Sequence, residues 1–248
     1  MAHPGYSQPS GEDFLKNPPS VDVVIAAANE AQDIGGCLRS FQGQQYPGEV
    51  RVFVALDERS RDGTGELAIR SGATVLQAGR GAADLRNQAV KLGRGSLLAF
   101  LDAHCFAHPG WLLALVKRIR ETAAAGVGGR IVYQFTEGRD RLQNPNFVGS
   151  AAAEKSAYAW LRTGNCLYSR QAFEEAGGFD TALRSCEDVD LAWRILLRGV
   201  PLAFCSQAVV THLDRQGSWA KLRRAFFYGV GRSEEHTSEL HSPCNLVC

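Results

Sequence analysis

No apolar run in this 248-residue sequence approaches the ~18 residues a bilayer-spanning helix needs, and Met1 to Ser20 lacks the apolar stretch of a secretory signal. On those absences the chain is expected in the cytoplasm. An excess of one charge is missing too: 27 Lys plus Arg meet 26 Asp plus Glu, a formal +1. No overall field therefore draws the chain to nucleic acid or an anionic membrane, and a charged ligand has to be met locally. The seven cysteines, at positions 37, 105, 166, 186, 205, 244 and 248, include no CxxC pair. An odd, scattered set fits reduced thiols better than a zinc knuckle or a disulfide framework. What is present is 45% hydrophobic and 21% charged residues with 26 Gly against 9 Pro, the make-up of one large globular domain or two small ones.

The first twenty residues hold Pro4, Pro9, Pro18 and Pro19 and read as a mobile leader. Then a rhythm begins. Val21 to Ala28 is a β-branched apolar run, and Ile34, Leu38 and Phe41 follow at the spacing of one helix face. Val50 to Leu56 predicts a strand and Gly63 to Arg70 a helix; Thr74 to Leu76 predicts the next strand, before a helix with Leu85, Ala89 and Leu92 inward. Leu97 to Leu101 is a fourth strand, and Pro109 opens a helix with the stripe Leu112, Leu115, Val116, Ile119. Repeated strand-then-helix units predict an α/β protein with a parallel sheet.

Each of these strands is followed by polar residues a core does not need: Asn29-Glu30, Asp57-Glu58, Gly79-Arg80-Gly81 and Asp102-Ala103-His104. In an open α/β sheet the carboxyl ends of the strands lie along one edge, where ligands bind. Ordinary turns and helix caps use the same residue types, so each cluster alone has a structural reading as well. Asp62-Gly63-Thr64 reads as a cap of the following helix.

Beyond Glu121 the alternation stops. Gly126 to Tyr133 reads as a strand; Thr136 to Ala159 has no period and reads as a loop over the site or an acceptor-binding segment. Thr163 to Asp180 suggests a strand, a short helix and a Gly177-Gly178 break. Ser185 to Arg198 predicts a helix with Val189, Trp193 and Leu196 on one face, stopped by Gly199. Two short strands are expected near Leu202 to Cys205 and Val209 to Thr211, then His212, and a basic aromatic helix from Trp219 to Tyr228. Ser233 to Cys248 carries no Lys or Arg, and the string RSEEHTSELHS, which runs into it from Arg232, resembles translated adapter read-through. It is set aside, leaving 27 bases against 23 acids and removing His236, His241, Cys244 and Cys248 as false metal ligands.

The stretch LLAFLDAHCFAHPGWL resembles the DxD region of family 2 glycosyltransferases of the GT-A fold, with Asp102 and His104 at the two ligand positions. VDVVIAAANE is similar to the family's first nucleotide-binding strand, ALDERSRDGT to its second, TGNCLYSR to an acceptor-side segment and CEDVDLAWR to the catalytic helix. The resemblance runs from about Val21 to Gly231. It implies a Rossmann-type nucleotide-binding half with a mostly parallel sheet, at 21–121, fused to a smaller acceptor and catalytic half at 122–232. Ala26 stands where the family usually has Pro. His104 replaces the second Asp, as in the DxH site of the polypeptide N-acetylgalactosaminyltransferases. An imidazole in place of a hard carboxylate suits Mn²⁺ better than Mg²⁺.

The resemblance implies a nucleotide-diphosphate sugar donor, a UDP-sugar foremost, and a divalent cation, Mn²⁺ or Mg²⁺, held by Asp102, His104 and His212. Ala28, Glu30, Asp57, Arg86 and Asp102 become the donor-binding set, with Asp57 toward the base, Glu30 near the nucleoside and Arg86 toward the diphosphate. Asp188 becomes the base that takes the acceptor proton in an inverting transfer, with Glu187 beside it as orienter. Ser185 and Asp188 also match a capping box, a purely structural reading. Asp190 points about 200° around the helix from Asp188, so the pair does not share an ion. The acceptor is a saccharide, lipid-linked or a small molecule, with no nucleic acid partner. A basic Trp219 to Tyr228 helix leaves peripheral contact with the inner membrane face open. The competing readings are a non-catalytic sugar-nucleotide-binding protein and a nucleotidyltransferase. The second would want a Gly-rich basic loop where Asn29-Glu30 stands. A dinucleotide oxidoreductase lacks its GxGxxG.

Overall fold

A computed structural model of the chain describes residues 17–135 and 160–214. The leader up to Lys16, the segment 136–159, the stretch from Trp219 to Tyr228 and the tail from Ser233 lie outside the described residues.

Strands β1 (Val21–Ala27), β2 (Val50–Asp57), β3 (Thr74–Ala78) and β4 (Leu97–Asp102) alternate with helices α1 (Ile34–Gln42), α2 (Thr64–Arg70) and α3 (Ala82–Leu92). All pairings among these strands are parallel: β1 with β2 and β4, and β2 with β3. β1 is apolar on both faces because both are covered, the usual condition for a parallel strand. Val21, Val23 and Ile25 pack with α1, α2 and α4 (Trp111–Thr122), whereas Val24 packs with α3. The second layer also holds α5 (Arg170–Glu175) and α6 (Glu187–Leu197).

The remaining strands are β5 (Cys105–Ala107), β6 (Gly126–Phe135), β7 (Cys166–Ser169) and β8 (Leu202–Asp214). Among the described residues they complete one eight-stranded sheet of order β3-β2-β1-β4-β7-β6-β8-β5. β7 runs antiparallel between β4 and β6, and β5 antiparallel to β8. The order reverses direction between β1 and β4, so their carboxyl ends flank the crevice that such a switch point opens. Ala26 is the register partner of Asp102 across that point.

Several expectations change. The two short strands expected near 202 and 209 are one strand: β8 pairs with β6 throughout, and the register slips between Gly129 and Arg130, where Ser206 to Ala208 bulge out. The polar Ser206-Gln207 pair falls in this bulge. α6 starts at Glu187, and its cap position is Cys186 in the left-handed region at φ 66, so Ser185 stands one residue ahead of the cap rather than at it. The buried face of α6 is Leu191, Ala192 and Ile195, with Val189 and Trp193 only half-buried. Asp188 lies three, four and seven residues before those positions and so shares their inward face. Leu92 is 54% exposed rather than inward. Residues 17–20 are held rather than mobile: Leu97 N donates to Ser20 O at 3.1 Å, and the Tyr46 hydroxyl donates to Pro19 O.

At the opposite end of the sheet from the crevice, Asp22 is wholly buried and accepts from Arg51 Nε at 2.9 Å, Arg170 Nη2 at 2.7 Å and Gly95 N at 2.6 Å. This pairing ties β1 to β2, to the turn before β4 and to α5. A Cβ at Gly95 would stand 2.8 Å from Asp22 Oδ1, so that turn can carry no side chain. Asp22→Ala takes from Arg170, 16% exposed, its buried carboxylate partner, leaving the more exposed Glu174, and takes from Arg51 its Asp22 contact as well. The expected loss is about 3 kcal/mol of stability, read as a lower urea midpoint at unchanged slope.

Candidate functional site

Loops at the carboxyl ends of β1 to β4 are bonded to one another along one rim. Asn29 N donates to Ser60 Oγ at 3.0 Å, Ala31 N to Asp62 Oδ2 at 3.0 Å, and Glu30 N to Thr64 Oγ1 at 2.8 Å. Asp62 Oδ1 also accepts from Thr64 N at 3.1 Å, so Asp62 both starts α2 and fastens the β1 loop. Glu58 N donates to Gly79 O at 3.3 Å, and Arg80 pairs with Glu58. The four polar clusters of the sequence therefore share one edge.

Asp57, buried at the end of β2, is gripped by Arg59: Nε and the backbone N each donate to Oδ1 at 2.9 Å, and Nη2 to Oδ2 at 2.8 Å. That fork holds the Asp57 carboxyl down at about 2, so it is ionised throughout the neutral range. Arg59 is itself exposed. Ala28, just past β1, is exposed on the same rim.

At the switch point, Asp102, His104 and His212 come together, their candidate ligand atoms all within 4.8 Å of one another. β5 brings this about. Its three residues pair antiparallel with β8 and place Cys105 opposite His212, so His104 is delivered beside a residue 108 positions away. His104 Nε2 lies 3.1 Å from His212 Nε2, and His104 Nδ1 lies 3.3 Å from Glu30 Oε1. The Tyr133 ring stands 5.0 Å from the His212 ring, and its hydroxyl accepts from Arg162 Nη1 at 2.7 Å.

Arg86 lies on α3 at the same crevice. It is buried, donating from Nη2 to Asp102 Oδ1 at 3.0 Å and from Nη1 to Glu187 Oε1 at 2.6 Å. Burial alone would lower its pKa, but the two carboxylates outweigh that and raise it, so the charge is fixed. Burial pushes Asp102 up, and Arg86 first, with His104 and His212, more than reverses it, leaving the carboxyl below its ordinary value. Glu187 thus binds Arg86, and the bridge ties β4 to the start of α6. Beside it Asp188 is half-buried; burial and the neighbouring charge of Glu187 push it up to about 6 against the pull of Arg86. Asp190 turns away and pairs with Arg194 at 2.5 Å.

The residues fit a divalent ion. Two imidazole nitrogens each about 2.1 Å from one ion, at an angle near 95°, stand about 3.1 Å apart. That is the separation of the two Nε2 atoms. Asp102 has Oδ1 engaged by Arg86, while Oδ2 faces Gly164, where a Cβ would intrude to 2.9 Å. One carboxylate oxygen is therefore kept clear of side chain.

Within TGNCLYSR, the segment similar to the family's acceptor side, one residue is tied into the core. Asn165 is 1% exposed; its Oδ1 accepts from Trp111 Nε1 at 2.7 Å, and its Nδ2 donates to Arg130 O and Ala208 O, each at 2.9 Å. It stitches α4, β6 and the β8 bulge together behind the site. Sequence reasoning passed over Tyr133, Arg162, Gly164 and β5. A three-residue strand carries no periodicity, and nothing local signals contacts between β6 and β8.

A family model described as Glycosyl transferase family 2 matches residues 22–179, well over half of the chain. The chain belongs to that family. Among curated relatives of this family 2 member, glycosyltransferase AglE of Haloferax volcanii is 28% identical over 223 residues, covering 86% of this chain and 73% of the relative. The pre-mycofactocin glycosyltransferase of Mycobacterium tuberculosis is 29% identical over 242 residues, or 92% of this chain and 49% of the relative; the chain thus spans about half of that protein. Among solved structures, the mannosyltransferase PcManGT from Pyrobaculum calidifontis in complex with GDP-Man and Mn²⁺ superposes with a TM-score of 0.67 at 22% identity, covering 86% of this chain and 65% of the other. S. aureus TarS 1-349 in complex with UDP-GlcNAc gives 0.62 at 18% identity, covering 80% of this chain and 60% of the other. Both structures share the α/β architecture, the mixed sheet with its parallel half described above. The family match includes Asp102 and His104 and ends before Glu187, Asp188 and His212. No helix among the described residues is long and apolar enough to cross a membrane.

Proposed function

We propose that this family 2 glycosyltransferase moves a sugar, with inversion, from a nucleotide-diphosphate sugar to an acceptor hydroxyl, with Asp188 as the base. The observation that carries the reading is the Arg86 bridge. It joins Asp102, in a metal-fitting cluster at the switch point, to Glu187, next to a carboxyl with a raised pKa on α6. Nucleotide sugars bound to the two structural neighbours support the donor class, UDP-sugars first and GDP-sugars second.

Asp102, His104 and His212 would hold a divalent cation, Mn²⁺ in preference to Mg²⁺ given two imidazoles. Such a cation supplies Lewis-acid stabilisation for the departing diphosphate. Asp57 would accept from the nucleobase once the exposed Arg59 fork moves off it, and Ala28 would line the same nucleoside pocket. Arg86 keeps Asp102 and Glu187 in place and adds fixed positive charge where phosphate charge develops. Asp188 takes the proton of the acceptor hydroxyl as that oxygen attacks the anomeric carbon from the side opposite the diphosphate. The donor half is assigned to 21–121 and the acceptor half to 122–232 of one catalytic domain. The acceptor is assigned as a saccharide hydroxyl, small-molecule or lipid-linked.

A screen of UDP- and GDP-sugars with Mn²⁺ and a panel of saccharide and lipid-linked acceptors, reading nucleoside diphosphate release, tests the reading. One donor is expected to turn over. Tight donor binding without release from any of them would favour a non-catalytic sugar-nucleotide-binding protein instead.

The pH dependence follows from Asp188. The base works as the carboxylate, and its carboxyl titrates at about 6. Thus kcat/KM is expected to rise about tenfold per pH unit below that value and to level off above it. A rate independent of pH between about 5 and 8 would contradict the assignment.

A further inference from the structure

His104 raises a requirement that an aspartate in its place would not. A carboxylate offers lone pairs in every direction, whereas a neutral imidazole carries one N–H and one lone pair, and its neighbours decide which nitrogen holds which. Here Nδ1 lies 3.3 Å from Glu30 Oε1 and Nε2 faces His212. An ionised carboxylate only accepts, so this contact is satisfied when the hydrogen sits on Nδ1. The Nε2 lone pair is then turned toward the space shared with Asp102 and His212.

We infer that Glu30 is a positioning residue for metal binding: its carboxylate fixes the tautomer and ring direction of His104 so that Nε2 is presented bare to the cation. The inference rests on the proposed metal site and assigns Glu30 a role other than the nucleoside contact expected from sequence. The backbone of Glu30 is held independently of its side chain. Its N–H donates to Thr64 Oγ1 at 2.8 Å, and its carbonyl accepts from Asp33 N at 3.0 Å and Ile34 N at 2.9 Å, opening α1. The carboxylate is 25% exposed, and the bonds that hold the loop run through the backbone rather than through it, so its removal leaves them in place. Carboxylates that orient metal-bound histidines typically contribute 10- to 100-fold to affinity.

The experiment is a cycle of Mn²⁺ titrations followed by electron paramagnetic resonance: wild type, Glu30→Ala, His104→Asp and the double variant. Alongside it, long-range ¹H–¹⁵N spectra of the metal-free protein assign the His104 tautomer by loss of its signals in His104→Asp. Expected are an Nδ1–H tautomer in the wild type and its loss in Glu30→Ala. Mn²⁺ should bind about 10- to 100-fold more weakly in Glu30→Ala, with no such penalty for Glu30→Ala in the His104→Asp background, where no tautomer needs fixing. Thermal melting of Glu30→Ala should match the wild type. An Nε2–H tautomer in the wild type, equal Mn²⁺ affinity in Glu30→Ala, or an equal penalty in both backgrounds would overturn the inference while leaving the metal site standing. Absence of Mn²⁺ binding by the wild type would overturn the metal site and this inference together.

Discussion

Asp188→Asn is expected to lower kcat by about 10²- to 10⁴-fold, the usual contribution of a positioned general base, while donor affinity stays within about twofold. The argument is positional and electrostatic. Asp188 shares the inward face of α6 with Leu191, Ala192 and Ile195, so its direction is set by packing that Asn preserves. Its carboxyl is pushed up to about 6 by burial and by Glu187, a value that leaves it ionised at neutral pH yet ready to accept a proton. The sign of the stability effect separates lost chemistry from lost fold. The folded-state pKa lies above the unfolded value of about 3.9, so this group favours folding most at low pH and that contribution is lost as pH rises through about 6. At pH 7.5 the neutral Asn should therefore melt no lower than the wild type. Near-normal turnover in Asp188→Asn would reject the base assignment; a melting point many degrees lower would show that the residue serves the fold instead.

Chelation should act as strongly. With EDTA, nucleoside diphosphate release is expected to fall to background, by about 10³-fold or more if the cation contributes about 4 kcal/mol to the transition state. Mn²⁺ should restore it better than Mg²⁺, because two of the three candidate ligands are imidazoles. Asp102→Asn should reproduce the loss and resist rescue by added Mn²⁺. It also leaves the Arg86 guanidinium, 5% exposed, facing a neutral amide, so melting has to be measured in parallel. Full turnover in EDTA by protein first stripped of metal would remove the cation from the account.

Strand and helix periodicity made the parallel half readable, because β1 to β4 are short apolar runs ended by polar clusters that serve no core purpose. The same logic located Asp102 and His104, which sit at the end of a readable strand. His212 and Glu187 were legible only through resemblance, since what joins them to the rest is tertiary: a three-residue β5, and an Arg86 that reaches across to α6. Asn165 shows what a resemblance leaves out. A polar residue in the string TGNCLYSR is buried because Trp111 and the carbonyls of Arg130 and Ala208, beside the β8 bulge, need a partner there. The cap of α6 falls at Cys186, one residue past Ser185, and its left-handed backbone is something sequence spacing does not reveal.

The most direct measurement is anomalous diffraction at the manganese edge from crystals grown with Mn²⁺ and a nucleoside diphosphate. The account predicts a single strong peak within bonding distance of Asp102 Oδ2, His104 Nε2 and His212 Nε2, with diphosphate density beside it on the rim. A peak elsewhere, or nucleotide bound with no ion among those three residues, would contradict it.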